Sequence, residues 1–257
     1  MKTTAHTILI TGGTSGLGLG LAQRFQKAGN KVIVAGRRSE LLDEIERDNA
    51  GTEAYPAIEG LQLDVADPAS IVAAFTAVTT SHPELDVVVT MAGIMEPEDL
   101  HTADFLATSE RIVATNLLGT LRTVAAFTEF LQQKPDAAIM TVSSGLAFVP
   151  LAVTPTYNAT KAAVHSFTES LRLQLDGTSV EVLELIPPAV ATSLMGQDQD
   201  TSGGPMPVDE YLDEVMSILT DRPDEKHVMV ERVKFLRNAE VEGRYDDVLQ
   251  MLAGRGH

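Results

Sequence analysis

Six short runs rich in Val, Ile and Leu, at residues 6–11, 31–36, 60–64, 85–90, 137–142 and 180–186, alternate with helix-length amphipathic segments. A strand followed by a helix cannot close a hairpin onto the next strand. Successive strands therefore run parallel, and each crossover helix covers one face of the sheet. The pattern predicts an α/β chain with one doubly wound parallel sheet flanked by helices on both faces. Helices are expected over 16–28, 39–48, 68–80, 102–132, 155–175 and 208–219. No long Pro/Ser linker, repeat or low-complexity tract interrupts the series, so residues 1–257 read as a single domain. The least regular part, 191–208, follows the sixth strand. It reads as a mobile loop able to close over a site at the carboxyl ends of the strands.

Charge narrows the partners. The chain carries 19 Lys+Arg against 36 Asp+Glu, a formal net charge of -17, whereas a nucleic-acid surface must be basic to neutralise phosphates. A nucleic-acid partner is not expected. With no cysteine, disulfides, thiolate nucleophiles and sulfur-ligated metals are absent, which suits a reducing, cytoplasmic setting. The N-terminal run Ile8-Leu9-Ile10 is broken by glycines from Gly12 onward and no A-x-A site follows, so it reads as mature protein rather than a signal peptide. The uncharged stretch 137–160 contains Pro150, Pro155, Asn158 and two serines, so membrane insertion is not expected.

The first strand runs into Thr11-Gly12-Gly13-Thr14-Ser15-Gly16-Leu17-Gly18. Gly12 permits a tight turn, Gly16 lets backbone approach a pyrophosphate, and Gly18 allows close packing of helix on strand. The phosphates then sit at the positive end of the helix. Such a Rossmann-type loop binds a dinucleotide. About twenty residues on, the second strand ends in Gly36-Arg37-Arg38. An acid there would hold the ribose 2′-hydroxyl; Gly36 followed by Arg37 leaves room and offers a cationic fork for a 2′-phosphate. The expected cofactor is NADP(H).

Tyr157-Asn158-Ala159-Thr160-Lys161 opens a helical pattern. Positions i and i+4 share a face, so phenol and ammonium point into one space. A phenol with a pKa of ~10 serves as an acid at neutral pH but not as a base. An ammonium ~5 Å away, at an effective dielectric of ~20, contributes about 3 kcal/mol, or ~2 pKa units. Lys161 is thus expected to lower the Tyr157 pKa and let it work in both directions.

The ordered set of the glycine loop at 11–18, Asn116 in TNLLG, the serine pair Ser143-Ser144 ending a strand, and YNATK at 157–161 resembles the short-chain dehydrogenase/reductases over roughly residues 5–195. The resemblance implies Tyr157 as general acid/base, with Lys161 holding the nicotinamide ribose. It further implies Ser144 on the substrate oxygen and Asn116 positioning a water that relays protons to the lysine. Family spacing favours Ser144, thirteen residues before the tyrosine, over Ser143. Asp64-Val65 would contact the adenine, and Ala92 and Gly93 would line the cofactor. Pro187-Pro188-Ala189-Val190-Ala191-Thr192 stands for the family's P-G-x-V-x-T, placing Pro187 and Val190 by the cofactor and Thr192 opposite the carboxamide. Together with the glycine-loop residues Gly12, Thr14, Ser15, Gly16, Leu17 and Gly18, and with Arg37 and Arg38, these complete the expected cofactor set.

Two motifs depart from the family. Pro188 replaces a flexible glycine and stiffens the start of the substrate loop at 191–208. Thr90-Met91 replaces two asparagines, which puts a sheet-stabilising hydrogen bond in doubt. The tail 230–252, with Val230-Glu231-Arg232-Val233-Lys234-Phe235-Leu236-Arg237, is similar to a bacterial subgroup often found beside teichoic-acid D-alanylation genes. It reads as helical, covering the site, a neighbouring subunit or its own domain, and the family implies a homodimer or homotetramer. The apolar run Leu146, Ala147, Phe148, Val149, Leu151 suits a pocket wall or core equally. No metal is expected, since His6, His82, His101, His165, His227 and His257 show no ligand spacing. Asp224-Glu225 and Asp246-Asp247 read as solvated pairs. The expected activity is NADPH-dependent hydride transfer between the nicotinamide and a carbonyl or secondary alcohol. Alternatives are a non-catalytic NADP(H) sensor or scaffold, and an epimerase or lyase on the same fold.

Overall fold

A computed structural model of the chain describes residues 1–195 and 204–254. Among these, β1 (Thr7–Thr11), β2 (Lys31–Gly36), β3 (Ile58–Gln62), β4 (Val87–Thr90), β5 (Ala137–Val142), β6 (Val180–Leu185) and β7 (His227–Val228) form one sheet in the order β3-β2-β1-β4-β5-β6-β7. Every pairing is parallel. The strand order reverses between β1 and β4, which is where doubly wound sheets open a crevice for ligands.

The continuous apolar runs follow from burial on both faces. Ile8 and Ile10 point to one side, where they pack with Leu21 and Phe25 of α1 (Gly16–Lys27), Leu42 and Ile45 of α2 (Ser39–Asp48), and Tyr211, Leu212 and Val215 of α7 (Val208–Asp221). Leu9 points to the other, against Ile71 and Val78 of α3 (Pro68–Ser81) and Val124 and Phe127 of α5 (Gly119–Leu131). The start of α3 shows its local cause: Asp67 accepts the Ala69 N–H at 2.9 Å, and Pro68 occupies the first position, where no N–H is needed.

The single helix expected over 102–132 is instead α4 (Phe105–Ile112), a π-helical turn (Val113–Leu118) and α5, with no break between them. The wide turn coincides with Gly119, where a Cβ would sit 2.8 Å from a Val65 methyl. It also coincides with Thr120, whose hydroxyl donates to the Asn116 carbonyl at 2.8 Å. π-bulges of this kind collect at functional positions. The third strand begins two residues earlier than expected, and β7 was not expected at all: two residues carry no readable alternation.

The long α6 (Pro155–Gln174) crosses beside β5 and β6. The tail forms α8 (Lys234–Arg237) and α9 (Tyr245–Ala253) and packs on its own chain. Val149 is fully buried with Ala239, Val248 and Leu252. Of the loop expected at 191–208, residues 196–203 lie outside the described residues. Its base is tied by a bridge between Val190 and Met206, with the Ala191 N–H on the Met206 carbonyl at 2.9 Å.

Candidate active site

The glycine loop leaves β1 at the switch point. Gly12 has φ +69°, and its N–H donates to the Ala35 carbonyl at 2.9 Å; a Cβ there would lie 2.7 Å from the Ala92 Cα. Gly16 has φ +51°, and a Cβ there would stand 3.5 Å from the Thr192 methyl, while a Cβ on Gly18 would strike the Gly12 carbonyl oxygen at 2.3 Å. Ser15 occupies the extended position ahead of α1, and Leu17 packs against the core. The loop is therefore a cradle that any side chain at these glycines would fill. Its N–H groups and the start of α1 suit a pyrophosphate. Gly13 has a part that the sequence reading missed, because a Cβ there would overlap the Val34 side chain.

At the far end of the crevice, a cavity of about 370 Å³ is lined by Arg37, Gln62, Asp64, Asp67, Ser70 and Ala73. Arg37 and Arg38 are exposed, and neither has a carboxylate partner among the described residues. Thr14 fills the space above Gly36: a Cβ there would meet its methyl at 2.5 Å. The Asp64 carboxylate accepts the Ala66 N–H at 2.9 Å, which shapes the turn beside this cavity, and Val65 is buried against Gly119. Polar donors, a cation and a Cβ-free cradle along one crevice fit an anionic dinucleotide.

The other end of the crevice is buried. Tyr157 and Lys161 lie in the first two turns of α6 at 7% and 5% exposure. The Lys161 Nζ donates to the Val142 carbonyl at 2.8 Å and lies 5.6 Å from the centre of the Tyr157 ring. Burial pushes the Tyr157 phenol up to about 12, with the Ser144 hydroxyl beside it pulling the other way. The same burial brings Lys161 down to about 8. This corrects the expectation of a depressed tyrosine. The loss of water around the phenolate dominates, a tertiary effect that i,i+4 spacing does not carry.

Of the serine pair, Ser144 faces the tyrosine and accepts the Leu146 N–H at 3.1 Å, whereas the buried Ser143 hydroxyl has no partner among the described residues. Asn116 is 1% exposed and its side chain is fully engaged. It accepts the Ile94 N–H at 2.8 Å and donates to the Ile94 carbonyl at 2.9 Å, fixing the loop that carries Ala92 and Gly93. A Cβ on Gly93 would stand 3.8 Å from the Lys161 Nζ. Pro187 is buried, and its carbonyl accepts the Gly145 N–H at 2.8 Å, joining the loop that holds Val190 and Thr192 to the serine turn.

The altered T-M-A-G motif leaves the Thr90 hydroxyl buried without a partner among the described residues. Thr11, another residue missed in the sequence, does the stapling: it accepts the Ala92 N–H at 3.2 Å and donates to the Val89 carbonyl at 3.4 Å. The tail backs the serine turn, since a Cβ on Gly145 would meet Leu236 at 2.8 Å and Arg237 lies 4.4 Å over the Phe148 ring. The apolar run divides its work. Leu146, Ala147, Phe148 and Leu151 line a cavity of about 520 Å³ with Tyr245 and Leu249 of α9, while Val149 is core.

The histidines hold a surprise. His165, His227, Glu169 and the fully buried Glu184 converge, although their sequence spacing gave no sign of it. Their contacts of 2.6 and 2.8 Å are hydrogen-bond lengths. Ligands ~2.0–2.2 Å from one ion would stand farther apart, and Arg172 already neutralises Glu169 at 2.7 Å.

A doubly wound sheet with a phosphate cradle at its switch point, and a buried Ser-Tyr-Lys corner one strand away, defines a nicotinamide-dependent oxidoreductase. The chain belongs to the short-chain dehydrogenase/reductase family, whose short chain dehydrogenase profile matches residues 6–203. It is 38% identical over 257 residues to the uncharacterized oxidoreductase DltE of Bacillus subtilis (strain 168), covering 98% of each chain. It is also 33% identical to the NADP-dependent 3-hydroxy acid dehydrogenase YdfG of Escherichia coli (strain K12), over 70% of this chain and 71% of that one. A short-chain dehydrogenase from Sphingobium yanoikuyae in complex with NADPH superposes with a TM-score of 0.76 at 27% identity, covering 96% of this chain and 95% of that one. Among the described residues no helix is long and apolar enough to cross a membrane.

Proposed function

We propose that the protein is an NADPH-dependent reductase of small carbonyl compounds, or the corresponding alcohol dehydrogenase, with Tyr157 as general acid/base. The observation that carries this reading is the buried corner of Ser144, Tyr157 and Lys161 at the carboxyl ends of β5 and the start of α6. The names of YdfG and of the Sphingobium complex support NADP(H) over NAD(H), and so does Arg37 beside Gly36. We also take the chain as one domain, cytoplasmic and homo-oligomeric.

The residues divide the work. Gly12, Thr14, Ser15, Gly16, Leu17 and Gly18 hold the pyrophosphate, Arg37 and Arg38 the 2′-phosphate, and Asp64 and Val65 the adenine. Ala92, Gly93, Pro187, Val190 and Thr192 line the nicotinamide end. The bound nicotinamide supplies or takes the hydride at its C4. In reduction the Tyr157 phenol, protonated at neutral pH, gives its proton to the carbonyl oxygen that Ser144 orients. The phenolate left behind is held by the Lys161 ammonium. At an effective dielectric of ~20, an ammonium ~5 Å from the phenolate oxygen would contribute about 3 kcal/mol. In the reverse direction the phenolate accepts the alcohol proton, and because burial holds the phenol up at about 12, this direction is favoured only as the pH rises. Asn116 holds the Ile94 loop and the π-helical turn in place beside Lys161, where its carbonyl can seat a water leading toward the ammonium.

A carbonyl and alcohol panel scored by NADPH absorbance tests the reading. Tyr157→Phe should lower kcat for any accepted ketone by ~10³-fold and leave NADPH binding nearly unchanged; retained turnover would refute the assignment. Tight NADPH binding with no turnover across the panel would instead favour the non-catalytic sensor.

A further inference from the structure

The first turn of α6 lacks a cap of its own. Thr154 precedes the helix without a side-chain cap bond, and Pro155 has no N–H. The Thr156 N–H is then the first backbone donor that the helix leaves unpaired. It is met by a carboxylate from another segment: Glu98 Oε2 accepts it at 2.9 Å. Glu98 Oε1 accepts the Thr156 hydroxyl at 2.8 Å and the Ser109 hydroxyl at 2.5 Å. The Glu98 N–H in turn donates to the Val153 carbonyl at 2.9 Å.

Glu98 therefore joins three segments, each of which leads to the reacting corner. Its own loop begins with Gly93 beside the Lys161 Nζ. Ser109 belongs to α4, which runs into the π-helical turn holding Asn116. Thr156 immediately precedes Tyr157. A negative carboxylate at a helix start is also favoured by the helix dipole. Glu98, Ser109 and Thr156 are all partly buried, so the bonds are shielded from water.

We propose that Glu98 is a positioning residue for the reaction, clamping the first turn of α6 to α4 so that the Tyr157 phenol meets Ser144. The proposal rests on Tyr157 being the acid/base. A misplacement of ~1 Å at a reacting group costs ~10²-fold in rate, so a loosened first turn should act on the chemical step and spare the cofactor.

Three measurements test this on the full-length protein. With a ketone the wild type accepts, Glu98→Ala should lower kcat ~10–100-fold, with the NADPH Kd within about twofold of wild type. The primary isotope effect from NADPH deuterated at the transferred position should rise, because proton and hydride transfer become slower than release. Glu98→Gln keeps an acceptor for the Thr156 N–H and should recover most of the loss. In hydrogen exchange, the amides of 155–161 should exchange faster in Glu98→Ala, with those of 168–174 unchanged. A kcat within twofold of wild type, or a loss matched by the unfolded fraction with an unchanged isotope effect, would overturn the proposal. If the wild type turns over nothing, the acid/base reading falls, and unchanged exchange at 155–161 would then dismiss the clamp as well.

Discussion

The two ends of the crevice handle charge in opposite ways. At the Ser144–Tyr157–Lys161 corner, water is excluded, and burial moves the phenol up to about 12 against the pull of the Ser144 hydroxyl, and the ammonium down to about 8. At the Arg37–Asp64 end the arginines stand in solvent, without carboxylate partners among the described residues. Buried groups are tuned by desolvation and act over short distances; exposed ones keep their full charge but are screened by water and salt, and are weak one at a time. On the proposed reading, this difference would let a chain of net charge -17 receive an anionic dinucleotide, with Arg37, Arg38, Lys161 and the start of α1 supplying a local positive field against the global sign.

The largest effect that would separate the ends is at Lys161. Lys161→Met should lower kcat by ~10²–10⁴-fold, as loss of an acid/base partner does. The same change should stabilise the fold near pH 7. Burial holds Lys161 at about 8 against 10.5 for a free lysine. This corresponds to ~3 kcal/mol of unfavourable charge burial, of which the lost bond to Val142 returns about 1 kcal/mol. The sign follows from proton counts. Between about 8 and 10.5 the unfolded chain holds the proton and the folded chain does not, so wild-type stability rises with pH across that window. Denaturant melts should show the variant ahead by ~2 kcal/mol near pH 7 and the gap closing toward pH 10.5. A variant less stable at pH 7 would break the comparison.

Arg37→Ala comes next. An exposed charge-assisted bond to a 2′-phosphate should contribute ~1–1.5 kcal/mol after screening, or about tenfold in Kd. Fluorescence titration should show NADPH weakened about tenfold and NADH unchanged, with added salt eroding the wild-type preference. Equal weakening of both cofactors would mean that Arg37 shapes the loop rather than reading the phosphate.

How much of this was legible in the sequence follows the same division. The strand and helix series, the cradle at Gly12, Gly16 and Gly18, and the Tyr157/Lys161 pair are local patterns, with spacing that fixes turn or face. The wide turn at Asn116 depends on Gly119 meeting Val65, and the cap at α6 on Glu98 meeting residues 11 and 58 positions away. No local period records such contacts. The tyrosine value was misjudged for the same reason: spacing names the neighbour, but only the packed core sets how much water is lost. Thr11 in place of the missing asparagines is a tertiary substitution that a single motif hides.

The smallest test bears on how the exposed end is built. Gly36 is usually counted as room for a 2′-phosphate, yet the nearest occupant of that room is the Thr14 methyl, 2.5 Å from where a Cβ would stand. Gly36→Ala must therefore push Thr14, a pyrophosphate-loop residue, before it touches any phosphate. NADPH binding should weaken ~3–5-fold, for an overpacking cost of about 1 kcal/mol. Thr14→Ser removes the offending methyl and keeps the hydroxyl; what remains near the new Cβ is the Thr14 Oγ1 at 3.3 Å and Cβ at 3.5 Å, which is tolerable. The double variant should bind NADPH within about twofold of Thr14→Ser alone, since contacting residues couple non-additively. Additive losses in the cycle would place the effect of Gly36 on the phosphate directly. The exposed end would then be a charge reader throughout, with no steric link to the pyrophosphate cradle.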